Sequence, residues 1–209
     1  MTSVIEQLPE IKDVQVEVKP VWEQASKLRL FTAEEYEKLA KIEIFGAGER
    51  VELIEGVILK MSPKGDLHAA ATDRSAKCFI KRLDERAIVR NQNPIRLNDN
   101  SEPEPDIVLA ALQAKEYSDH KPAPQDVLLI LEVADSTLYT DRQRKGLLYA
   151  QAGITHYCIL NLKTRELEDY REPSAEGYRS KKTYRADERF ALVAFPDVEI
   201  AVGELLPLE

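Results

Sequence analysis

Residues 127–133, with the sequence VLLILEV, form a run that is apolar at every position except Glu132. A strand this apolar has to be covered on both faces, as it is in sheets that carry helices on each side. Helix and strand signals alternate before and after this run, so we predict an α/β (α+β) chain with one mixed β-sheet flanked by helices. Residues 127–133 are then expected to be the central strand.

The composition predicts one globular domain. The chain has 209 residues, of which 44% are hydrophobic and 32% are charged, the balance of an ordinary soluble protein. Residues 1–27 are polar and show no sustained period, so we interpret them as a variable N-terminal arm. Residues 28–209 are expected to form the folded domain.

Hydropathy, cysteine usage and charge limit where such a protein works. No apolar run approaches the ~20 residues needed to cross a bilayer, and the first residues lack the pattern of a secretory signal. We therefore expect a cytoplasmic protein without a membrane partner, in which Cys78 and Cys158 are buried thiols.

The formal net charge of -8 argues against a protein that coats nucleic acid by bulk charge. It does not exclude a catalytic contact with DNA, because bound divalent cations bring their own positive charge.

Upstream of the central strand, the sequence predicts two helices around a hairpin. Thr32 and Glu35 have the spacing of a capping box that opens a short helix. Residues 51–61 contain two apolar runs around a Glu-Gly pair, the pattern of a β-hairpin. Asp66 is predicted to cap a long helix. The apolar positions expected on that helix are Ala69, Thr72, Ala76, Phe79, Ile80 and Leu83.

The remaining elements are predicted from alternation and from turn residues. A strand is expected from Ile88 to about Leu97. Thr140 and Gln143 are expected to open a helix that stops at Gly153. The later strands are expected at residues 155–160 and 167–170, which pair as a hairpin, and in a last strand pair that passes through Tyr184 and Phe190.

Two carboxylates stand at opposite ends of neighbouring strand patterns. Asp106 begins the strand at residues 106–110, and Glu132 lies near the end of the central strand. If these strands pair antiparallel, the start of one lies beside the end of the other. We therefore expect Asp106 and Glu132 to meet.

A carboxylate at the end of a buried strand needs a compensating cation or donor. Paired carboxylates suit Mg²⁺, which takes one or two of them and keeps room for a phosphate oxygen. Alone, Asp106 would be interpreted as a turn residue after proline, and Glu132 as the partner of an arginine. Only the two together point to a metal site.

Four segments of the chain also resemble a known family. Pro105-Asp106 followed by Glu132-Val133-Ala134 resembles the signature of the PD-(D/E)XK nuclease superfamily. The segments are VELIEGVILKMSP, NPIRLNDNSEPEPDIVL, DVLLILEVADST and KGLLYAQAGITHYCILNL. In this order they resemble the Uma-type restriction endonuclease family of that superfamily, over about residues 30–209.

The resemblance implies a restriction-endonuclease-like fold and hydrolysis of phosphodiesters with Mg²⁺, or with Mn²⁺ in its place. Asp106, Glu132 and the backbone carbonyl of Val133 would be the metal ligands, and Glu52 an auxiliary acid near the metal. From the residues alone, Glu52 is equally well interpreted as a solvated strand residue. One departure matters, because the signature has a lysine where this chain has Ala134.

Lys145 is the best substitute for the missing lysine, because related families can carry it on the following helix. Asp141 and Lys145 are also spaced as partners on one helix face, so a surface ion pair is the alternative interpretation. Arg142 and Arg144 are candidates of lower rank. The lysine matters because a point charge near the scissile phosphate, or near the attacking water, stabilises the transition state.

Other candidates are weaker. His68 lies near the start of the long helix, where a lone histidine is more often a satisfied edge residue than a base. Pro196-Asp197 repeats the Pro-Asp pair, but no acid-ending strand follows it, so we predict a turn. Residues 177–185 mix basic and tyrosine side chains and are interpreted as a solvated β-hairpin rather than a nucleic-acid contact.

The sequence therefore predicts a metal-dependent DNA endonuclease, with a symmetric homodimer as the assembly that would cleave both strands. Ala134 and the acidic net charge motivate the alternative, a nuclease fold that has lost turnover and serves as a binding or assembly module.

Overall fold

The computed structural model describes residues 28–208, so the predicted arm at residues 1–27 lies outside the described residues. The strands are β1 (Val51–Ile54), β2 (Val57–Lys60), β3 (Ile88–Asn91), β4 (Ile107–Ala110), β5 (Val127–Ala134), β6 (His156–Asn161), β7 (Glu166–Ser174), β8 (Gly177–Arg185), β9 (Arg189–Ala191) and β10 (Glu199–Ala201). The helices are α1 (Ala33–Lys41), α2 (Asp66–Leu83), α3 (Leu138–Thr140), α4 (Gly146–Gln151) and α5 (Val202–Leu205). A single turn of 3-10 helix, Pro124–Asp126, precedes β5.

One six-stranded sheet organises the molecule, in the order β3-β4-β5-β6-β7-β8. β5 and β6 pair parallel, and the other neighbours pair antiparallel. Two small sheets, β1-β2 and β9-β10, lie outside it. The predicted mixed sheet flanked by helices, with β5 inside it, is confirmed.

A continuous helical segment joins β5 to β6. It consists of α3, a π-helical turn at Asp141–Lys145, and α4, and we call residues 138–151 the site helix. The hydroxyl of Tyr157 donates to the backbone carbonyl of Asp141 at 3.0 Å, from under the turn. Gly146 leaves room for this carbonyl, because a Cβ there would lie only 3.3 Å from its oxygen.

Alternate residues of the central strands build two cores on opposite faces of the sheet. Leu129 and Leu131 pack with α2 and with the elements that end the chain, whereas Ile130 packs with the site helix. This alternation follows from the two-residue period of a strand. Cys78 and Cys158 are buried free thiols in the first core.

The helix predictions need corrections at their ends and on one face. Gly65 rather than Asp66 is the N-cap of α2, and Asp66 is the first helical residue. Ile80 is 60% exposed, and Ala69 is exposed as well, because the helix turns Ala71, Ser75 and Cys78 towards the sheet. The site helix begins at Leu138 after Thr137, not at Thr140.

Two strand predictions were also wrong. β3 ends at Asn91, because Gln92 adopts a left-handed conformation with φ 53 and Pro94 has no N–H to donate. Tyr184 and Phe190 lie in different sheets, since β8 pairs with β7 and β9 pairs with β10. The predicted hairpins at 51–61 and at β6-β7 are confirmed.

Across residues 28–208, no helix combines the length and the apolar character that a bilayer crossing requires.

Candidate active site

Asp106 and Glu132 lie side by side where β4 begins and β5 ends. The two strands pair antiparallel, with Ile107 opposite Leu131. The backbone N–H of Asp106 donates to Oε2 of Glu132 at 3.3 Å, and the backbone N–H of Val133 donates to Oδ2 of Asp106 at 2.9 Å. The structure therefore brings the two predicted acids together.

The same register places the carbonyl of Val133 beside Asp106. In an extended strand, the N–H and C=O of one residue point to the same edge of the strand. The N–H of Val133 reaches the Asp106 carboxylate, so the Val133 carbonyl faces the edge on which Asp106 lies. This is where the family resemblance places the third ligand.

Glu132 points to the face of the sheet that the site helix covers. Its side chain alternates with Leu131 and shares the face of Ile130, which belongs to the core on that side. Lys145 Nζ lies 3.0 Å from Oε1 of Glu132, and the hydroxyl of Tyr149 donates to the same oxygen at 2.8 Å. The π turn ends at Lys145, and π turns inside helices are frequent at functional sites.

Tyr149 was missed by the sequence analysis. It is fully buried and stands four residues after Lys145, so the two side chains share one helix face. That spacing is the only sequence signal that links it to Glu132, and a tyrosine in an apolar stretch is ordinarily a core residue.

Glu52 reaches the same site from the hairpin. It is 8% exposed, and its Oε2 accepts a hydrogen bond from the backbone N–H of Glu104 at 3.2 Å and lies 3.6 Å from Lys145 Nζ. The interpretation of Glu52 as a solvated strand residue was therefore wrong. The interpretation of Asp141 and Lys145 as a surface ion pair was also wrong, since both side chains are buried.

Two polar side chains contact Asp106. Nε2 of His68, from the first turn of α2, lies 3.1 Å from Oδ2 of Asp106. The amide of Gln92 donates to Oδ1 at 3.2 Å. His68 therefore sits at the site rather than at an unrelated edge, and its contact with Asp106 orients that carboxylate.

Burial disfavours the charged form of Glu132, whose side chain is 4% exposed. Desolvation raises the pKa of Glu132, Lys145 opposes the increase, and the Asp106 carboxylate adds to it. For Lys145, desolvation would lower the pKa, but the carboxylates of Glu132, Glu52 and Asp141 outweigh it and raise the pKa. Lys145 therefore stays charged.

Asp106 and Asp141 shift in opposite directions. Burial would raise the pKa of Asp106, but hydrogen bonds from His68 and from the N–H of Val133 lower it below its usual value. Desolvation raises the pKa of Asp141 to about 6, against the opposing effects of Lys145 and the hydrogen bond from Thr137. Asp106 is thus the more readily ionised of the two.

The donor set suits a divalent cation. An ionised carboxylate has about four lone-pair sites on its two oxygens. Within the described part of the chain, Asp106 accepts at Oδ2 from His68 and Val133 and at Oδ1 from Gln92. Oδ1 thus keeps capacity for a further partner.

The same holds for Glu132, which accepts at Oε1 from Lys145 and Tyr149 and at Oε2 from Asp106. One ammonium is shared among the carboxylates of Glu132, Glu52 and Asp141. An oxygen-only set with surplus negative charge is what a hard cation such as Mg²⁺ prefers.

These side chains lie in a cleft of about 670 Å³ between the hairpin and the site helix. Lys64 also lines the cleft. Burial lowers the pKa of Lys64, and the nearby Arg50 lowers it further, whereas the Asp106 carboxylate acts to raise it. Arg50 is paired with Glu104. The cleft therefore carries cations on its wall as well as acids on its floor.

The lower-ranked arginines lie in different places. Arg144 lines the cleft, and its Nε lies 3.9 Å from a Glu55 oxygen. Arg142 instead binds Glu168 on β7. Glu55 occupies the hairpin turn with φ 50, as predicted.

The two other sequence motifs lie away from the acids. Asp197 lies in a turn, as predicted, and it pairs with Arg86 at 2.9 Å. Residues 177–185 form β8, the edge strand of the main sheet, with mostly partly or fully exposed side chains.

A second cluster, His156, Cys158 and Asp169, brings potential metal ligands together in the buried part of the sheet. Nδ1 of His156 accepts from the backbone N–H of Val193 at 3.3 Å, so Nε2 carries the proton and faces Asp169 at 3.1 Å. Arg171 also binds Asp169 at 2.8 Å. These hydrogen bonds satisfy the cluster as a structural network, and a protonated Nε2 cannot ligate a metal.

Comparisons with known proteins agree with this architecture. The family model described as "Uma2: Putative restriction endonuclease" matches residues 33–203. A solved structure described as that of "a putative nuclease belonging to DUF820" from Anabaena variabilis matches with a TM-score of 0.62 and 14% sequence identity, over 84% of this chain and 97% of that chain. At that identity the likeness shows a shared fold alone. No curated protein sequence matches the chain.

Proposed function

Because the chain belongs to the Uma2 family, whose description reads "Putative restriction endonuclease", we propose that it is a metal-dependent endonuclease that hydrolyses phosphodiester bonds in DNA. The family resemblance predicted from the sequence is confirmed, and the fold is shared with the solved structure from Anabaena variabilis. The metal, the substrate and the roles of the individual residues belong to the proposal.

One observation carries the proposal. The backbone N–H groups of Asp106 and Val133 cross-link the carboxylates of Asp106 and Glu132 at the end of two paired strands. Each carboxylate keeps acceptor capacity, and both lie on the floor of a cleft. Such a pair supports binding of a cation at a place that a phosphodiester can reach.

Asp106, Glu132 and the carbonyl of Val133 would hold the cation, and Glu52 would add negative charge beside it. When bound, Mg²⁺ or Mn²⁺ supplies Lewis-acid stabilisation of the charge that develops on the phosphodiester. His68 and Gln92 hold the Asp106 carboxylate in place.

Lys145 takes the role that the superfamily signature gives to the residue at Ala134. Its ammonium lies 3.0 Å from Glu132. A lysine at position 134 would approach Glu132 from β5, whereas Lys145 approaches it from the site helix. A charge fixed there would stabilise the scissile phosphate or orient the attacking water. Cleavage of both strands of a duplex would need two such sites, so a symmetric homodimer is part of the proposal.

The test is nicking of supercoiled plasmid by the full chain in Mg²⁺ or Mn²⁺, with chelator as the blank. We expect the wild type to nick, and we expect Asp106→Ala and Glu132→Ala to lose at least about a hundredfold in rate. Asp197→Ala is the matched control, because it removes the other Pro-Asp carboxylate from a turn outside the cleft.

Nicking retained by both Asp106→Ala and Glu132→Ala would refute the assignment of the site. No nicking and no metal binding by the wild type would instead favour a binding or assembly module. Ala134 is the observation that keeps this second function under consideration.

A further inference from the structure

The walls of the cleft differ chemically from its floor. The floor holds the acids and Lys145, but the site helix exposes Tyr139, Gln143 and Leu147 along the cleft wall. Tyr139 is 79% exposed and Leu147 is 38% exposed. These residues follow one another at four-residue intervals, so they form a row along one side of the helix.

The opposite wall also presents apolar side chains, beside its cations Arg50, Lys60 and Lys64. Leu59 and Met61, from β2 and the residue that follows it, are partly exposed, and Pro63 is exposed. The cleft thus has apolar surface on two sides and phosphate-directed chemistry at its base.

The outer surface of a DNA duplex offers little to such walls. It presents sugars and phosphates, while the apolar faces of the bases are stacked inside. Unstacked bases expose these faces, and aromatic side chains bind them without sequence preference. The side-chain amide of Gln143 makes no hydrogen bond to any residue in the described range 28–208, so it is available to a base edge.

Size and burial point in the same direction. A cleft of about 670 Å³ has the volume of a small-ligand site, and the carboxylates on its floor are 11% and 4% exposed. A phosphodiester must therefore descend into the cleft. A duplex is stiff, with a persistence length of about 50 nm, whereas a single strand can bend into a narrow site.

We propose that the cleft binds an unpaired DNA strand, with one base stacked on Tyr139 while the adjoining phosphate lies beside the proposed cation site of Asp106 and Glu132. This inference rests on the proposed function for the identity of the phosphodiester. Lys64, which is half-buried on the cleft wall and is influenced by both acids, supplies positive charge for the strand's backbone.

Binding in the absence of divalent cations tests the inference separately from cleavage. Fluorescence anisotropy would compare a short labelled single strand with the matched duplex, using the full chain in chelator at one fixed salt concentration. We expect the single strand to bind at least about tenfold more tightly than the duplex, because only the single strand offers base faces to the aromatic wall.

Three variants locate the effect. Tyr139→Ala should weaken single-strand binding about tenfold, since base stacking is lost, while Tyr139→Phe should remain within about twofold of the wild type because it keeps the ring. Ile80→Ala is the control, because it removes an exposed apolar side chain of α2 outside the cleft. Thermal unfolding of each variant confirms that it is folded.

The inference is overturned if the duplex binds as tightly as the single strand, or if Tyr139→Ala binds the single strand as the wild type does. The second result is also expected if a protein segment or a second copy covers Tyr139. Cleavage is then measured on single-stranded circular DNA and on duplex plasmid with Mn²⁺. Tyr139-dependent binding without cleavage of either substrate would refute the hydrolytic function alone, and faster cleavage of the duplex would refute the preference for unpaired DNA alone.

Discussion

Glu132 is the residue on which most of the site's contacts converge. It accepts hydrogen bonds from Lys145, Tyr149 and the backbone of Asp106, so the site helix and the start of β4 together fix its orientation. A buried carboxylate held in this way is costly unless it is compensated. A single change among its partners should therefore alter its charge and its affinity for a cation.

Replacing Lys145 by methionine tests the substitute for the missing signature lysine. Lys145→Met should reduce the plasmid nicking rate about a hundredfold, because it removes the fixed charge beside the reacting phosphate. Lys77→Met, on the exposed side of α2, is the control for loss of a lysine. Nicking by folded Lys145→Met at the wild-type rate would show that another group supplies this charge.

Replacing Tyr149 by phenylalanine removes one donor and leaves the ring in place. A donor to a carboxylate favours its ionised form, so without the hydroxyl the pKa of Glu132 should rise further. We expect the acidic limb of the nicking rate profile to move to higher pH, and the nicking rate near neutral pH to fall about tenfold. A pH profile unchanged from the wild type would mean that Tyr149 acts only in packing.

The acids of the site could be predicted from the sequence, but their partners could not. Asp106 and Glu132 stand at strand ends, so antiparallel pairing alone brings them together. His68 and Tyr149 lie on helices, and their contact with the acids depends on where those helices dock on the sheet. A helix period predicts which residues share a face, but it does not predict what that face touches.

At the scale of elements, the sheet decides which side each group faces. Between residues 129 and 134, odd-numbered side chains of β5 pack in the core that includes α2, and even-numbered ones face the site helix. Val127 and Leu128 reverse this order beside the register shift at Leu109 and Ala110 of β4. Glu132 follows that alternation, as does Asp106 relative to Val108 on β4. A shift of one residue in register would bury both acids against α2, away from Lys145.

Glu168 on β7 binds side chains of β8 and of the site helix, and the pH dependence of protein stability tests these contacts. Burial would raise the pKa of Glu168, but hydrogen bonds from Arg142, Tyr170 and Lys181 outweigh it and lower the pKa to about 2. The folded protein therefore keeps this carboxylate ionised to lower pH than the unfolded chain does. The resulting stability is present above the unfolded value of 4.5 and is lost as the pH falls towards about 2.

Glu168→Gln should accordingly lower the free energy of unfolding by about 1–3 kcal/mol near neutral pH. The difference from the wild type should shrink in acid, because the unfolded wild-type chain takes up a proton at Glu168 while the folded protein still keeps that carboxylate ionised. Urea unfolding at about pH 7 and about pH 3 measures it. Glu172→Gln, an exposed change on the same strand, is the control for loss of a surface carboxylate. An equal loss for Glu168→Gln at both pH values would contradict the lowered pKa of Glu168.

The elements were predictable where one local signal dominated. The capping box at Thr32 and the two-residue turn before β2 are both present, because each depends on neighbouring residues only. The strand from Ile88 was predicted too long, since Ile95 and Leu97 continue its apolar pattern. Those two residues are buried in an irregular segment whose N–H groups donate to the backbone carbonyls of Pro103 and Ser101. The spacing of apolar residues does not distinguish such a segment from a strand.

At the scale of the whole molecule, one sheet carries both walls of the cleft. The hairpin is tied to the segment before β4 by bonds between Leu53 and Glu102, and the site helix is fixed by its connection from β5 to β6. The cleft is therefore expected to keep its shape as long as the sheet is folded. Residues 28–209 remain the predicted folding unit.

A protein limited to residues 28–209 tests this directly. It should unfold in one cooperative transition and keep the stability of the full chain within about 1 kcal/mol, because each face of the sheet already has a core. Thermal and urea unfolding of the two chains would measure the difference. A shorter chain that lacks a cooperative transition would show that residues 1–27 contribute to the fold.

The proposed hydrolysis depends on a cation held by Asp106 and Glu132, and the amount of Mn²⁺ bound by the protein measures this directly. Electron paramagnetic resonance reports the loss of the free Mn²⁺ signal as protein is added. We expect the wild type and Asp197→Ala to bind the ion, and we expect Asp106→Ala and Glu132→Ala to weaken its binding at least about tenfold, since each removes a ligand. Equal binding by all four proteins, or none by the folded wild type, would contradict the metal site on which the proposed hydrolysis rests.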